Sequence, residues 1–309
     1  MLSPEWIVII VFTLLETLMA FILNIGIVLA DSKSWRQGQK WNPSDLIHLI
    51  IGLVNIVLQS SLTGQGIVFV FFLPAFVLKE VYLPAIFLTM SLIYCSYWLS
   101  AWLCVYYCIS ITNLPHQVFV WLKKTFSSYL PHLLLLSMVA SILITLPTIW
   151  TVEVKVIKES LGNGSHDSAT ISAAFSFSFA YIQTANVLGC FLPFLLILVS
   201  IVVTVSSLLK HMWKVKQNDS GFGGSKFRAH INAIKTMILF LILFIIFFID
   251  VNVFFMMGIN TNNPVTIAAW VIFISFPLAE SIIIIQASAK LRKFLFGKIL
   301  NGNRWGTHN

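Results

Sequence analysis

Long apolar runs alternate along the chain with short connectors that hold almost all of its charge. A helix crossing the hydrocarbon core of a bilayer needs about 20 mostly apolar residues. Seven runs meet that length and predict helices over 6–30, 45–72, 81–111, 128–150, 173–209, 230–257 and 265–289. The stretch 67–83 is nearly continuous apolar sequence, broken by Pro74, Lys79, Glu80 and Pro84. It reads as the end of helix 2, a short turn, and the start of helix 3. The longer polar connectors are 151–172 and 210–229, and a basic tail covers 290–309. The first apolar run is long and leads into a basic loop, as a spanning helix does and a cleaved signal does not. The pattern predicts an all-α integral membrane bundle of seven helices forming one domain over 1–309.

Composition agrees. Of 309 residues, 58% are hydrophobic and 10% charged, against about 25% charged in an ordinary soluble domain. A net charge of +8 raises the question of a nucleic-acid partner. The basic residues lie in separate connectors and not along one polar face, which fits a multi-pass membrane protein and no nucleic acid. Of 19 Lys and Arg, only Lys79, Lys155 and Lys158 fall on one side of the predicted topology. The positive-inside rule then puts the N-terminus outside and the C-terminus in the cytoplasm, with the plasma membrane as the expected location. Asn163-Gly164-Ser165 is a glycosylation sequon on the outer side, whereas Asn218-Asp219-Ser220 lies on the inner side and is expected to stay bare. Cys95, Cys104, Cys108 and Cys190 all sit inside apolar runs, so neither an extracellular disulfide framework nor a zinc spacing is expected. No internal repeat, phosphate-binding loop, nucleophilic triad or metal-ligand cluster stands out, so neither an enzyme nor a cofactor is expected.

Several receptor families share a seven-helix outline. An Asp/Glu-Arg-Tyr triplet is missing at the inner end of helix 3, which reads Tyr106-Tyr107-Cys108, and helix 7 lacks Asn-Pro-x-x-Tyr. The region instead reads Trp98, Leu103, Tyr106-Tyr107, Ile111-Thr112-Asn113, His116 and Trp121-Leu122-Lys123. Further along come Pro193-Phe194, Ser207-Leu208-Leu209-Lys210-His211, His230-Ile231-Asn232-Ala233-Ile234-Lys235-Thr236, Ser281 and Lys290-Leu291-Arg292. Helix 1 has Glu16, Ala20 and Asn24 at a spacing of four. In order and spacing these resemble the bitter taste receptor (taste receptor type 2) family over nearly the whole chain. The resemblance implies a chemosensory receptor for small bitter molecules, coupled to a gustducin or other Gi-type heterotrimeric G protein. Other readings of the outline are a type 1 vomeronasal-like receptor and a small transporter or channel; the odd helix count and missing repeat speak against transport.

The departures from the family pattern matter as much. Its helix 2 Arg is Asn55 here, its helix 3 Lys is Ser110, its helix 7 His is Glu280, and the following Asn is Ser288. Intramembrane acids require a partner or a function. Glu16 and Glu280, with Asn24, Asn55 and Ser288, are expected to form a structural polar network. Thr89, Met90 and Ile93 share a face of helix 3. With Asn186, Phe247, Asp250 and Trp270 they are the expected agonist-binding positions, Asp250 suiting a cationic ligand. Family resemblance sets a Trp and an Asn where Thr89 and Ile93 stand. The expected G-protein-coupling set is Tyr107, Trp121, Lys123, Lys124, His211, Lys214, His230 and Lys235. Pro193 and Pro277 are candidate bending points.

Overall fold

The computed structural model describes residues 4–37, 42–76, 78–112, 117–159, 170–176, 178–217, 224–257 and 264–302. Among them, seven helices are long and apolar enough to cross a membrane. They are α1 (Pro4–Arg36), α2 (Pro43–Phe71), α3 (Lys79–Ile111), α4 (Gln117–Thr145), α5 (Phe179–Asn186 continuing through Val187–Phe191 into Leu192–Gln217), α6 (Gly224–Met257) and α7 (Pro264–Ala287). An eighth, shorter helix, α8, covers Ala289–Gly302.

Packing runs α1 on α2, α2 on α3, α3 on α4 and α5, α5 on α6, α6 on α7, and α7 back on α1. α3 is the most buried of the seven. Its Tyr97, Leu99, Leu103 and Cys104 sit in the centre of the core. The outer helices turn large apolar side chains outward, such as Leu15, Leu18 and Ile22 on α1 and Leu135, Leu136 and Leu143 on α4. In water that surface would drive association; in a bilayer it meets lipid tails.

Several boundaries differ from those predicted. α4 starts at Gln117, eleven residues before the apolar run at 128. Its added turns carry the exposed Lys123 and Lys124, and Lys is a good helix former that keeps its charge in water. The connector after α4 is not all loop. Thr148–Thr151 forms one helical turn, then β1 (Glu153–Glu159) pairs antiparallel with β2 (Thr170–Ser176), from Glu153 opposite Ser176 to Glu159 opposite Thr170. Val154, Val156 and Ile157 are β-branched, which suits a strand. α5 therefore begins at Phe179 and not at 173. α6 begins at Gly224, ahead of the predicted 230. Helix 7 and the tail are separated at Ser288, where the hydroxyl accepts the Leu291 N–H at 3.3 Å and starts α8.

The widened π turn Val187–Phe191 immediately precedes Pro193 in α5. A π turn of this kind lets a helix absorb the hydrogen bond that proline cannot make. Pro277 lies inside α7, and its own carbonyl accepts a 3.4 Å hydrogen bond from Asn24 on α1.

Candidate functional site

A polar cluster occupies the middle of the bundle. On α7, Glu280 is fully buried and its carboxylate accepts hydrogen bonds from Ser96 (2.6 Å) and Ser100 (2.5 Å). Those serines are four residues apart on α3 and so share one helical face. Asn55 on α2 lies alongside the same carboxylate. Its Nδ2 also donates to Asn24 Oδ1 at 3.3 Å, while Asn24 donates to Ala20 O at 2.9 Å. Of the five expected network residues, Glu280, Asn55 and Asn24 thus come together. Ser288 does not join them, because its hydroxyl caps α8. Glu16 stands apart as well, with its Oε2 unpartnered. Near it, Gln59 donates to Thr17 at 3.0 Å and Thr17 meets Thr63 at 3.2 Å, joining α1 to α2. Ser96 and Ser100 escaped the sequence reading because serine is common in membrane helices; their spacing opposite an intramembrane acid was the available signal.

Toward the β-hairpin end, Phe247 and Ile93 line a narrow apolar crevice of about 200 Å³, with Leu58, Leu62, Tyr97, Val251, Phe273 and Phe276. Phe247 meets Phe276 edge-on at 4.7 Å, and Tyr97 lies 4.5 Å from Phe244. Asp250 is buried beside Val251, within electrostatic reach of Tyr97, and its Oδ2 has no partner. Asn186 on α5 reaches Asn252 on α6 at 3.5 Å. Trp270 packs on Gly66 of α2, where an added Cβ would stand 3.3 Å from its ring, and Met90 is buried. Thr89 turns away from this group toward α2, bonded to Ser61 at 2.9 Å and to Gln65 at 2.5 Å.

At the opposite end, Lys290 of α8 bridges Asp31 of α1 (2.7 Å) and Asp45 of α2 (2.8 Å). Tyr107 lies 3.4 Å from the buried His48, Tyr106 donates to Asn42 at 2.7 Å, and Lys123 reaches the Thr112 carbonyl at 3.5 Å. Trp121, Lys124 and Lys235 are exposed around the same end. His211, Lys214 and His230 lie on described helical backbone, but their side chains are outside the described residues, as is Asn163.

A profile of the "Taste receptor protein (TAS2R)" family matches residues 1–302. The chain belongs to the taste receptor type 2 family. Among relatives, Taste receptor type 2 member 4 of Gorilla gorilla gorilla is 29% identical over 226 residues, 72% of this chain and 73% of that protein. Member 9 of Macaca mulatta is 30% identical over 203 residues, 64% of this chain and 62% of that protein. Member 41 of Pongo pygmaeus is 28% identical over 244 residues, 76% of each chain. As a taste receptor of this family, the chain is a chemosensory G-protein-coupled receptor and not an enzyme, a multi-pass protein of the plasma membrane with a ligand and a G protein as partners. The vomeronasal-like and transporter readings give way to it.

Proposed function

We propose that this taste receptor answers bitter small molecules carrying a basic amine, held between α3, α5, α6 and α7 beneath the β-hairpin. In this reading the hairpin end faces outside, and the end where Trp121, Lys123, Lys124, His211, Lys214, His230 and Lys235 gather faces the cytoplasm, in keeping with the positive-inside rule. The observation that carries the ligand class is Asp250, a buried carboxylate with an unpartnered oxygen next to the crevice. A buried charge without a partner is costly, and an ammonium group supplies one.

The crevice of about 200 Å³ is below the roughly 300–1,000 Å³ of common ligand pockets. An agonist that enters must part the aromatic contacts among Tyr97, Phe247 and Phe276, and therefore binds a bundle with these helices apart better than the closed one. That differential affinity shifts the conformational equilibrium. α6 then swings at its basic end and admits the C-terminal helix of a gustducin or other Gi-type α-subunit.

The test is calcium signalling in cells expressing the receptor with a promiscuous taste-coupled Gα, screened against amine-bearing and neutral bitter compounds. Asp250→Asn is expected to weaken amine agonists about 10- to 100-fold, the loss of a charge-assisted hydrogen bond, and to leave neutral agonists in place. Equal potency of amines on both receptors refutes the role of Asp250. Silence toward the whole panel, with the receptor at the surface, refutes the bitter-agonist reading.

A further inference from the structure

Glu280 is at the meeting point of α2, α3 and α7, fully buried, and every group that touches its carboxylate is neutral: Ser96, Ser100 and the Asn55 amide. Among the described residues the ion pairs are those of Lys290, so no side-chain cation answers Glu280. Asn55 is fully buried too, and its Oδ1 has no hydrogen-bond partner. Two hydroxyls, two amide carbonyls (Asn55 and the adjacent Asn24) and one carboxylate therefore converge in a space with an unmet charge and an unmet acceptor.

Hard oxygen donors of this kind suit alkali and alkaline-earth cations. Serine hydroxyls rotate, so the same oxygens that donate to the carboxylate can turn lone pairs toward an ion. The orientation of the Asn55 amide is likewise exchangeable, which brings its free carbonyl to the carboxylate side. A single carboxylate balances one positive charge; a divalent ion would leave net charge inside the bilayer. The 2.5–2.6 Å spacing between the serines and the carboxylate is compact and favours a small ion. We propose that Glu280, Ser96, Ser100, Asn55 and Asn24 form a sodium-binding site, and that the ion stabilises the arrangement of α1, α2, α3 and α7 seen here. The substitutions noted in the sequence fit: where the family pattern has Arg, Asn55 removes a fixed cation, and Glu280 supplies the charge that calls for a mobile one.

The experiment is thermal unfolding of the purified full-length receptor in detergent at constant ionic strength, with sodium chloride exchanged for choline chloride. An ion that binds the folded state raises the midpoint, by about 2–4 °C for a roughly tenfold excess over its dissociation constant. Potassium is expected to raise it less. Glu280→Gln should abolish the difference between sodium and choline. Asn55→Arg, which places a fixed cation beside Glu280, should also abolish it while keeping the receptor folded, and serves if Glu280→Gln does not fold. Equal midpoints in sodium and choline for the unaltered receptor overturn the proposal. So does a sodium shift that persists in the folded variant, which would be a general salt effect. A midpoint indifferent to sodium but raised by acid through Glu280 assigns the charge to a proton and overturns it as well.

Discussion

Lys290 Nζ stands 2.7 Å from Asp31 Oδ1, so the first turn of α8 is pinned to the far end of α1. Asp31 is buried, whereas Lys290 is one-third exposed. Removing the lysine leaves a carboxylate in the core without its cation, and that asymmetry decides the outcome. Lys290→Met is expected to cost about 1–3 kcal/mol, measured by thermal unfolding, and Asp31→Asn in the same chain should recover part of it. Partial burial works against the Lys290 charge, but hydrogen bonds and the charges of Asp31 and Asp45 outweigh it and raise its pKa above the usual 10.5. A raised lysine stabilises fully below its unfolded pKa and stops doing so as pH climbs through the folded one. Stability contributed by this bridge should therefore hold from neutral pH to about pH 10 and fall only above that.

Gly189 in the π turn of α5 faces the ring of Tyr94 on α3. A Cβ there would stand 2.5 Å from Tyr94 Cδ1 and 2.8 Å from its Cγ, an approach that no relaxed side chain makes. Gly189→Ala is expected to destabilise the receptor by about 1–3 kcal/mol through overpacking. Adding Tyr94→Leu should return most of the loss in the same unfolding assay.

Thr89 is bonded to Ser61 and Gln65 on α2 and does not face the crevice. Thr89→Val keeps the shape and removes both bonds, so a loss of about 1–2 kcal/mol in stability is expected. Its effect on amine-agonist potency should be well below that of Asp250→Asn. A potency loss as large as that of Asp250→Asn, with stability unchanged, would return Thr89 to the ligand site.

The proposed orientation makes opposite predictions for two sequons. Digestion with a glycosidase should shift the gel mobility of the receptor, and Asn163→Gln should remove that shift. Asn218→Gln should not alter it. The reverse pattern would invert the topology.

The helix count, the family and the residues that depart from its pattern were all readable in the sequence, because lipid imposes a length on every span and leaves charge in the connectors. Glu280, Asn55 and Asn24 were also readable as partners, since an acid within an apolar run demands them. Ser288 was misplaced because a serine just beyond an apolar run looks the same whether it faces the bundle or caps the next helix. The β-hairpin was hidden by reading Glu153–Glu159 as a polar loop when its Val and Ile are those of a strand. The Asp31–Lys290 bridge joins residues 259 positions apart, and no local spacing announces such a pair. Thr89 was assigned by its helical face, yet α2 and the crevice lie close enough together that a face alone does not choose between them.

The most direct measurement is agonist-stimulated guanine-nucleotide exchange on purified gustducin heterotrimer, with the full-length receptor reconstituted in lipid vesicles. The account predicts exchange that depends on both receptor and an amine-bearing bitter compound and that is sharply weakened by Asp250→Asn. An exchange rate that is the same with and without the compound, for receptor shown to be folded and correctly inserted, would contradict it.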